Sequence, residues 1–239
     1  MFPLLSLPLR TSAPIASIAL LAIVVAAAPT TTSIAGYTDP TKLGNGSWFL
    51  DAGNGLGEPL NVVISGESSP AVLTNTGLLN YARSFNFSSE CLGKHLGTSF
   101  TADLGDGAGA VDQVAVIRQD YANADIGTCL ETLLGGNHFR VFRQNGTANP
   151  TGALFLAVSY EQPLSEHHTI SEDGYNKGRD DLVKTATGTT AFGGVTYQTT
   201  AELLSRVMPA GSEKVNHGIA VDGNAYMLTV SIVPGQGSS

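Results

Sequence analysis

The run Gly135-Gly136-Asn137-His138-Phe139-Arg140-Val141-Phe142-Arg143-Gln144, with its sequel Gly152-Ala153-Leu154-Phe155-Leu156-Ala157-Val158-Ser159-Tyr160-Glu161, decides the fold. Between the two stand Asn145-Gly146 and Asn149-Pro150, turn dipeptides that join neighbouring strands as an antiparallel hairpin. From Ala153 to Val158 the second run has no polar break, which predicts a central strand in a sheet covered on both faces. On the first run a period of two places His138, Arg140 and Phe142 on one face and Phe139, Val141 and Arg143 on the other.

Outward from this hairpin the pattern stays mixed. Gln113 to Tyr121, with Val114-Ala115-Val116-Ile117 at its centre, predicts a strand before it. Leu60 to Ile64 reads as a buried strand closed by Ser65-Gly66, and Ser68-Ser69-Pro70 introduces a helix over Ala71 to Phe85. Asn176 to Thr187 predicts a second helix that ends at Gly188, with Leu182, Val183 and Ala186 facing in. Val195 to Thr200 and Ala225 to Val233 read as strands, and Glu202 to Met208 reads equally as helix or strand. The order β-α-β-β-β-α-β-β is that of an α+β fold, a single domain with a largely antiparallel sheet packed with two or three helices. The domain is expected over 58–233, after an irregular segment 36–57 pinned by Trp48-Phe49 and before a flexible tail, 234–239. The Gly-rich stretch Phe87 to Ala110 is expected to be irregular.

The 239 residues are 42% hydrophobic and 13% charged, with 28 glycines, a composition that excludes extended disorder. A net charge of −8 argues against a role in neutralising nucleic-acid phosphates. Met1 to Ala35 has the parts of a secretory signal in order: Arg10, the apolar run Ala13 to Ala28, a polar stretch, and the small-x-small triplet Ser33-Ile34-Ala35. The alternative is an uncleaved anchor, but the run is shorter than the ~20 residues of a span and is broken by Pro14 and Ser17. No span is expected in the mature chain. Sequons at Asn45, Asn86 and Asn145 agree with export and predict glycosylation. Cys91 and Cys129 are the only cysteines, and in an oxidising compartment they are expected to form a disulfide. The rival reading is a reactive thiol at Cys91, beside Lys94 and His95.

Three constellations could carry chemistry. His138 and Arg140 on one strand face could hold a carboxylate or phosphate, which Arg does bidentately; the alternative is that the arginines pair with acids of the chain. Glu166-His167-His168-Thr169-Ile170, followed by Asp173, Tyr175 and Arg179-Asp180-Asp181, sets imidazole near carboxylates, as acid-base catalysis requires. Its spacing fits no zinc motif, so no metal or other cofactor is expected. Asp103 to Asp112 has the carboxylates and glycines of a calcium loop without the alternate-residue spacing, and reads better as a turn. No Gly-x-Ser-x-Gly, P-loop or dinucleotide fingerprint occurs.

Asn137 to Arg143, Gly152 to Ala157, His168-Thr169-Ile170, Gly174-Tyr175-Asn176 and Gly178-Arg179-Asp180 together resemble the LssY-type C-terminal domain, in particular secreted fungal versions of it. The resemblance covers roughly residues 58–188. In bacteria such domains are attached to membrane proteins related to lipid-phosphate phosphatases, and the resemblance transfers no phosphatase chemistry because that membrane part has no counterpart here. The leading expectation is an exported domain binding a small-molecule or glycan ligand, anionic in character, between His138, Arg140, His168 and Arg179. A hydrolase using His168 with Asp173 or Asp180 is the second expectation, and a structural cell-surface protein the third.

Overall fold

A computed structural model describes residues 36–93 and 98–234. The expected leader, Lys94 and His95, and residues 235–239 of the expected tail lie outside the described residues. In chain order the first elements are α1 (Pro40–Leu43), β1 (Phe49–Gly53), β2 (Leu56–Pro59), β3 (Val62–Ile64), α2 (Asn75–Arg83), β4 (Phe87–Ser89), β5 (Thr101–Asp103), β6 (Ala110–Asp112) and β7 (Ala115–Gln119). They are followed by α3 (Gly127–Leu134), β8 (Gly136–Arg143), β9 (Leu154–Glu161), α4 (Gly174–Ala186), β10 (Gly188–Phe192), β11 (Val195–Leu204) and β12 (Ala225–Val233).

The hairpin expected from the sequence is β8–β9, paired antiparallel from Gly136↔Glu161 to Arg143↔Leu154. It lies inside an eight-stranded sheet of order β10-β11-β12-β3-β9-β8-β7-β4, in which only β12 and β3 run parallel. β9 is apolar throughout its middle because both of its faces are covered. Leu154, Leu156 and Val158, with Phe139 and Val141 of β8, meet Leu78, Tyr81 and Ala82 of α2 and Leu182, Val183 and Ala186 of α4. Phe155 and Phe142 point the other way, against Leu50 of a second, four-stranded antiparallel sheet of order β2-β1-β5-β6 and against Trp48 and Leu104, which flank its strands. The fold is α+β, with α2 and α4 on one side of the main sheet and the small sheet on the other. Among the described residues no helix is long and apolar enough to cross a membrane.

Several expectations are corrected. Segment 36–57 is not irregular: it holds α1, β1 and the start of β2, because Trp48, tilted, and Tyr37, edge-on, pack against Phe155, with centroids 5.5 and 6.0 Å from that ring. The stretch 87–110 contains β4, β5 and the start of β6, each too short to show a period. α2 starts at Asn75, where Thr74 Oγ1 accepts from the Gly77 amide (3.0 Å), and not at Ala71. Residues 202–204 continue β11 and the chain then turns. α3 and β10 are additions to the expected order.

α4 is fastened to the sheet by polar side chains as well as by its apolar stripe. Asn61 Nδ2 donates to the carbonyls of Val158 (2.9 Å) and Tyr175 (3.0 Å), while its Oδ1 accepts from the Val158 amide (3.0 Å). Asn137 Nδ2 donates to Gly178 O (2.7 Å). At Gly178 a Cβ would stand 2.8 Å from the β9 backbone at Ser159 and Tyr160, so only glycine allows this approach.

Candidate functional site

On the face of the main sheet away from α2 and α4, register sets Arg118 of β7 opposite His138 of β8, and His138 opposite Ser159 of β9. Glu161 follows Ser159 on the same face, two residues on. These residues meet one side chain from above, Glu131 of α3, and one from the edge, His168. Arg118 Nη1 donates to Glu131 Oε2 (2.8 Å) and to Glu161 Oε2 (3.0 Å). His168 Nε2 lies 2.9 Å and His138 Nδ1 3.4 Å from the same Glu161 oxygen. His138 Nε2 is 3.4 Å from Ser159 Oγ.

Local structure explains why His168 reaches Glu161. After β9 a 3₁₀ turn, Leu164–Glu166, reverses the chain, and His167 and His168 both take left-handed backbone angles, with φ of 69° and 50°. Non-glycine residues adopt that region at a cost of about 1 kcal/mol or more each, so the turn is held by its surroundings. Gln162 N donates to Thr169 O (2.8 Å), which closes the loop and leaves His167 exposed and His168 half-buried over the strand end. Both ring nitrogens of His168 face acceptors, Glu161 Oε2 and Gln162 O (3.2 Å), an arrangement satisfied only by the doubly protonated imidazolium.

α3 is positioned by the Cys91–Cys129 disulfide, which ties it to the segment after β4, and by Thr128 Oγ1 donating to Ser89 O (3.2 Å). Its inward face carries Thr128 and Glu131, whereas Leu130, Leu133 and Leu134 are exposed. Glu131 is fully buried.

Environment separates the two carboxyls. Burial pushes Glu131 up to about 7 against the pull of Arg118, with the Glu161 charge adding to the rise. Burial also works to raise Glu161, but His138, the hydrogen bond from His168 and the Arg118 guanidinium hold it below the usual carboxylate range. The Glu161 hydrogen bond raises His168. Burial pushes His138 down to about 4, so its ring is neutral at pH 7. A protonatable carboxyl beside an ionised one, with an imidazolium in contact, can give and take protons.

The four residues expected to share a ligand do not share one site. His138 and His168 meet at Glu161. Arg140 adjoins on the same strand face, but its Nη1 donates to Gln113 Oε1 (2.8 Å) and Thr98 O (3.1 Å), and the guanidinium stacks 4.4 Å from the Phe100 ring centroid. Arg179 belongs to the helix layer. It donates bidentately to Asp222 (2.6 and 2.9 Å), and also to Asp180 (2.8 Å) and Asn224 O (3.0 Å), holding the loop before β12. Asp180 is thus paired with Arg179, and Asp173 accepts from Asn176 at the start of α4. Neither contacts His168, whose carboxylate partner is Glu161.

Arg118, Glu131 and Glu161 escaped the sequence reading. The signal available for Glu161 was strand parity, which puts it on the face of Ser159. In the Asp103–Asp112 turn, Asp106 is buried and accepts from Gly146 N (2.6 Å) and Ala108 N (3.1 Å), so its carboxylate serves the backbone. The sequon asparagines Asn45, Asn86 and Asn145 are all exposed. A cavity of about 750 Å³ lies between the β1–β2 hairpin and residues 207–214, lined by Trp48, Leu56, Met208 and Lys214 among others, and it includes none of the ionisable cluster. Comparison with protein-family models, with curated proteins and with solved structures finds no match to this chain.

Proposed function

We propose that this chain is an exported, disulfide-braced hydrolase whose proton-transfer residue is His168, held by Glu161. The observation that carries the reading is the convergence on one Glu161 oxygen of Arg118, His138 and His168, a constellation that joins three strands and a loop. In a hydrolytic step His168, at the outer edge of the cluster, gives its proton to the departing oxygen and then recovers one from the attacking water, so it is restored. Glu161 stays ionised throughout and, through the 2.9 Å contact, orients the ring and favours its protonated form. This assignment replaces Asp173 and Asp180 as partners of His168. It also replaces the anion-binding reading, since Arg140 and Arg179 are already engaged by the protein.

Three things support the wider setting. The segments that resemble the LssY-type domain form β8, β9, the His168 loop and the first turns of α4, which build or brace the Glu161 site. The Cys91–Cys129 disulfide fits an oxidising compartment, and the exposed sequons fit glycosylation there. The test is a panel of chromogenic esters, phosphoesters and glycosides assayed with the secreted protein and with His168→Ala, its folding checked by circular dichroism. Turnover of one class that falls by at least ~100-fold in the variant is expected. No turnover of any class, or turnover indifferent to His168, overturns the reading.

A further inference from the structure

We propose that Glu131, His138 and Glu161 form a site for one divalent first-row transition ion. One potential donor atom from each of the three lies within 4.8 Å of the others. Grouped carboxylates are common in proteins, and a second feature marks this group. Glu131 Oε1 and His138 Nδ1 have no hydrogen-bond partner, although their side chains belong to residues only 0% and 3% exposed. A buried acceptor without a donor costs ~1–3 kcal/mol. Two of them beside a third acceptor, the Glu161 carboxylate, are matched by a cation.

The surroundings have the form of an outer shell. Arg118 engages the Oε2 atoms of both carboxylates and so fixes their orientation. Ser159 Oγ faces His138 Nε2, so the ring proton can reside on Nε2 and the Nδ1 lone pair is the one directed at Glu161. Two oxygens and one imidazole nitrogen suit zinc or manganese better than calcium, whose sites are built of oxygen alone. A bound ion would act as a Lewis acid beside His168.

The site shares Glu161 with the proposed hydrolase, but binding is read without turnover, so either idea can fail alone. The experiment titrates zinc into chelator-treated secreted protein by calorimetry, with Glu131→Gln, His138→Gln and the exposed control Glu172→Gln, each checked for folding by circular dichroism. One zinc per chain is expected, with affinity at least 10-fold weaker in the first two variants and unchanged in the third. No binding, or binding that neither site variant weakens, overturns the proposal. Should the site variants not fold, ¹⁵N spectra of the unaltered protein decide: zinc must shift the His138 imidazole resonances, and a silent His138 overturns it.

Discussion

The disulfide is the strongest single hold on α3, and replacing both cysteines by serine tests that. The bridge closes an interval of 38 residues. In the chain-entropy treatment a loop of that length loses about 13 cal/mol/K in the unfolded chain, about 4 kcal/mol at 25 °C. For a domain of this size each kcal/mol moves Tm by ~2–4 °C, so a fall of ~8–15 °C is expected. The loss should be greatest in one place. Leu130, Leu133 and Leu134 are 42, 53 and 58% exposed, so α3 has little apolar surface pressed on the sheet. Among the described residues its side-chain ties apart from the bridge include Thr128 to Ser89 and Glu131 to Arg118. Thermal unfolding followed by circular dichroism gives the global figure, and native-state hydrogen exchange gives the local one. Amides of 127–134 should lose protection well before those of β8 and β9. A Tm shift below ~3 °C together with unchanged exchange in α3 would refute the reasoning.

Two further outcomes follow from the fold. Gly178→Ala places a methyl 2.8 Å from the β9 backbone, where overpacking costs ~1–3 kcal/mol and outweighs the ~1 kcal/mol gain in helix propensity; a lower urea midpoint is expected, and an unchanged or higher one would mean that α4 lies farther from β9. Burial pushes Tyr37 up to about 12 and also raises Tyr81 and Tyr175. In the unfolded chain these phenols ionise near 10, so the folded form binds more protons above that pH, and stability that is intact below pH ~10 is lost as pH rises through it. Denaturation midpoints at pH 9 and above, with tyrosinate absorbance, should show the buried phenols ionising together with unfolding; gradual ionisation without unfolding would count against their burial.

What the sequence revealed depended on how long each pattern ran. β8, β9 and β12 are eight or nine residues long and were placed within one or two positions, because alternation or a continuous apolar run needs that length to stand out. β4, β5 and β6 have three residues each and show no period at all. β10 reads Gly-Thr-Thr-Ala-Phe, with no buried face to mark it. His168 is legible as an imidazole among acids, but its expected partners are acids that follow it, Asp173 and Asp180, and not one back along β9. The true partner, Glu161, is brought to it by a tight reversal with two left-handed histidines, which residue type does not announce. Arg118 gains meaning only from register, which pairs it with His138.

α3 has the helical spacing Ile126, Leu130, Leu133, and the ordinary inference from it points the wrong way. That inference turns the aliphatic stripe inward and Glu131 out, whereas the structure does the reverse, for a reason found in the strands beneath. Read along the face away from α2 and α4, β8 runs Phe142, Arg140, His138, and β9 runs Phe155, Ala157, Ser159, Glu161. At their apolar end the small sheet and its flanking residues cover them with Trp48, Leu50 and Leu104. At their polar end a leucine-faced cover would take Glu131 away from the buried Arg118, 5% exposed. Removing a partner from a buried ion pair costs ~3–5 kcal/mol, and a leucine face would further desolvate Glu161 and His168, so the ~1.5–3 kcal/mol that each buried leucine contributes is opposed by several charges at once. Glu131 therefore faces in and the leucines face out. The polar end of the sheet selects its own cover, and the disulfide holds in place a helix that apolar burial alone would not.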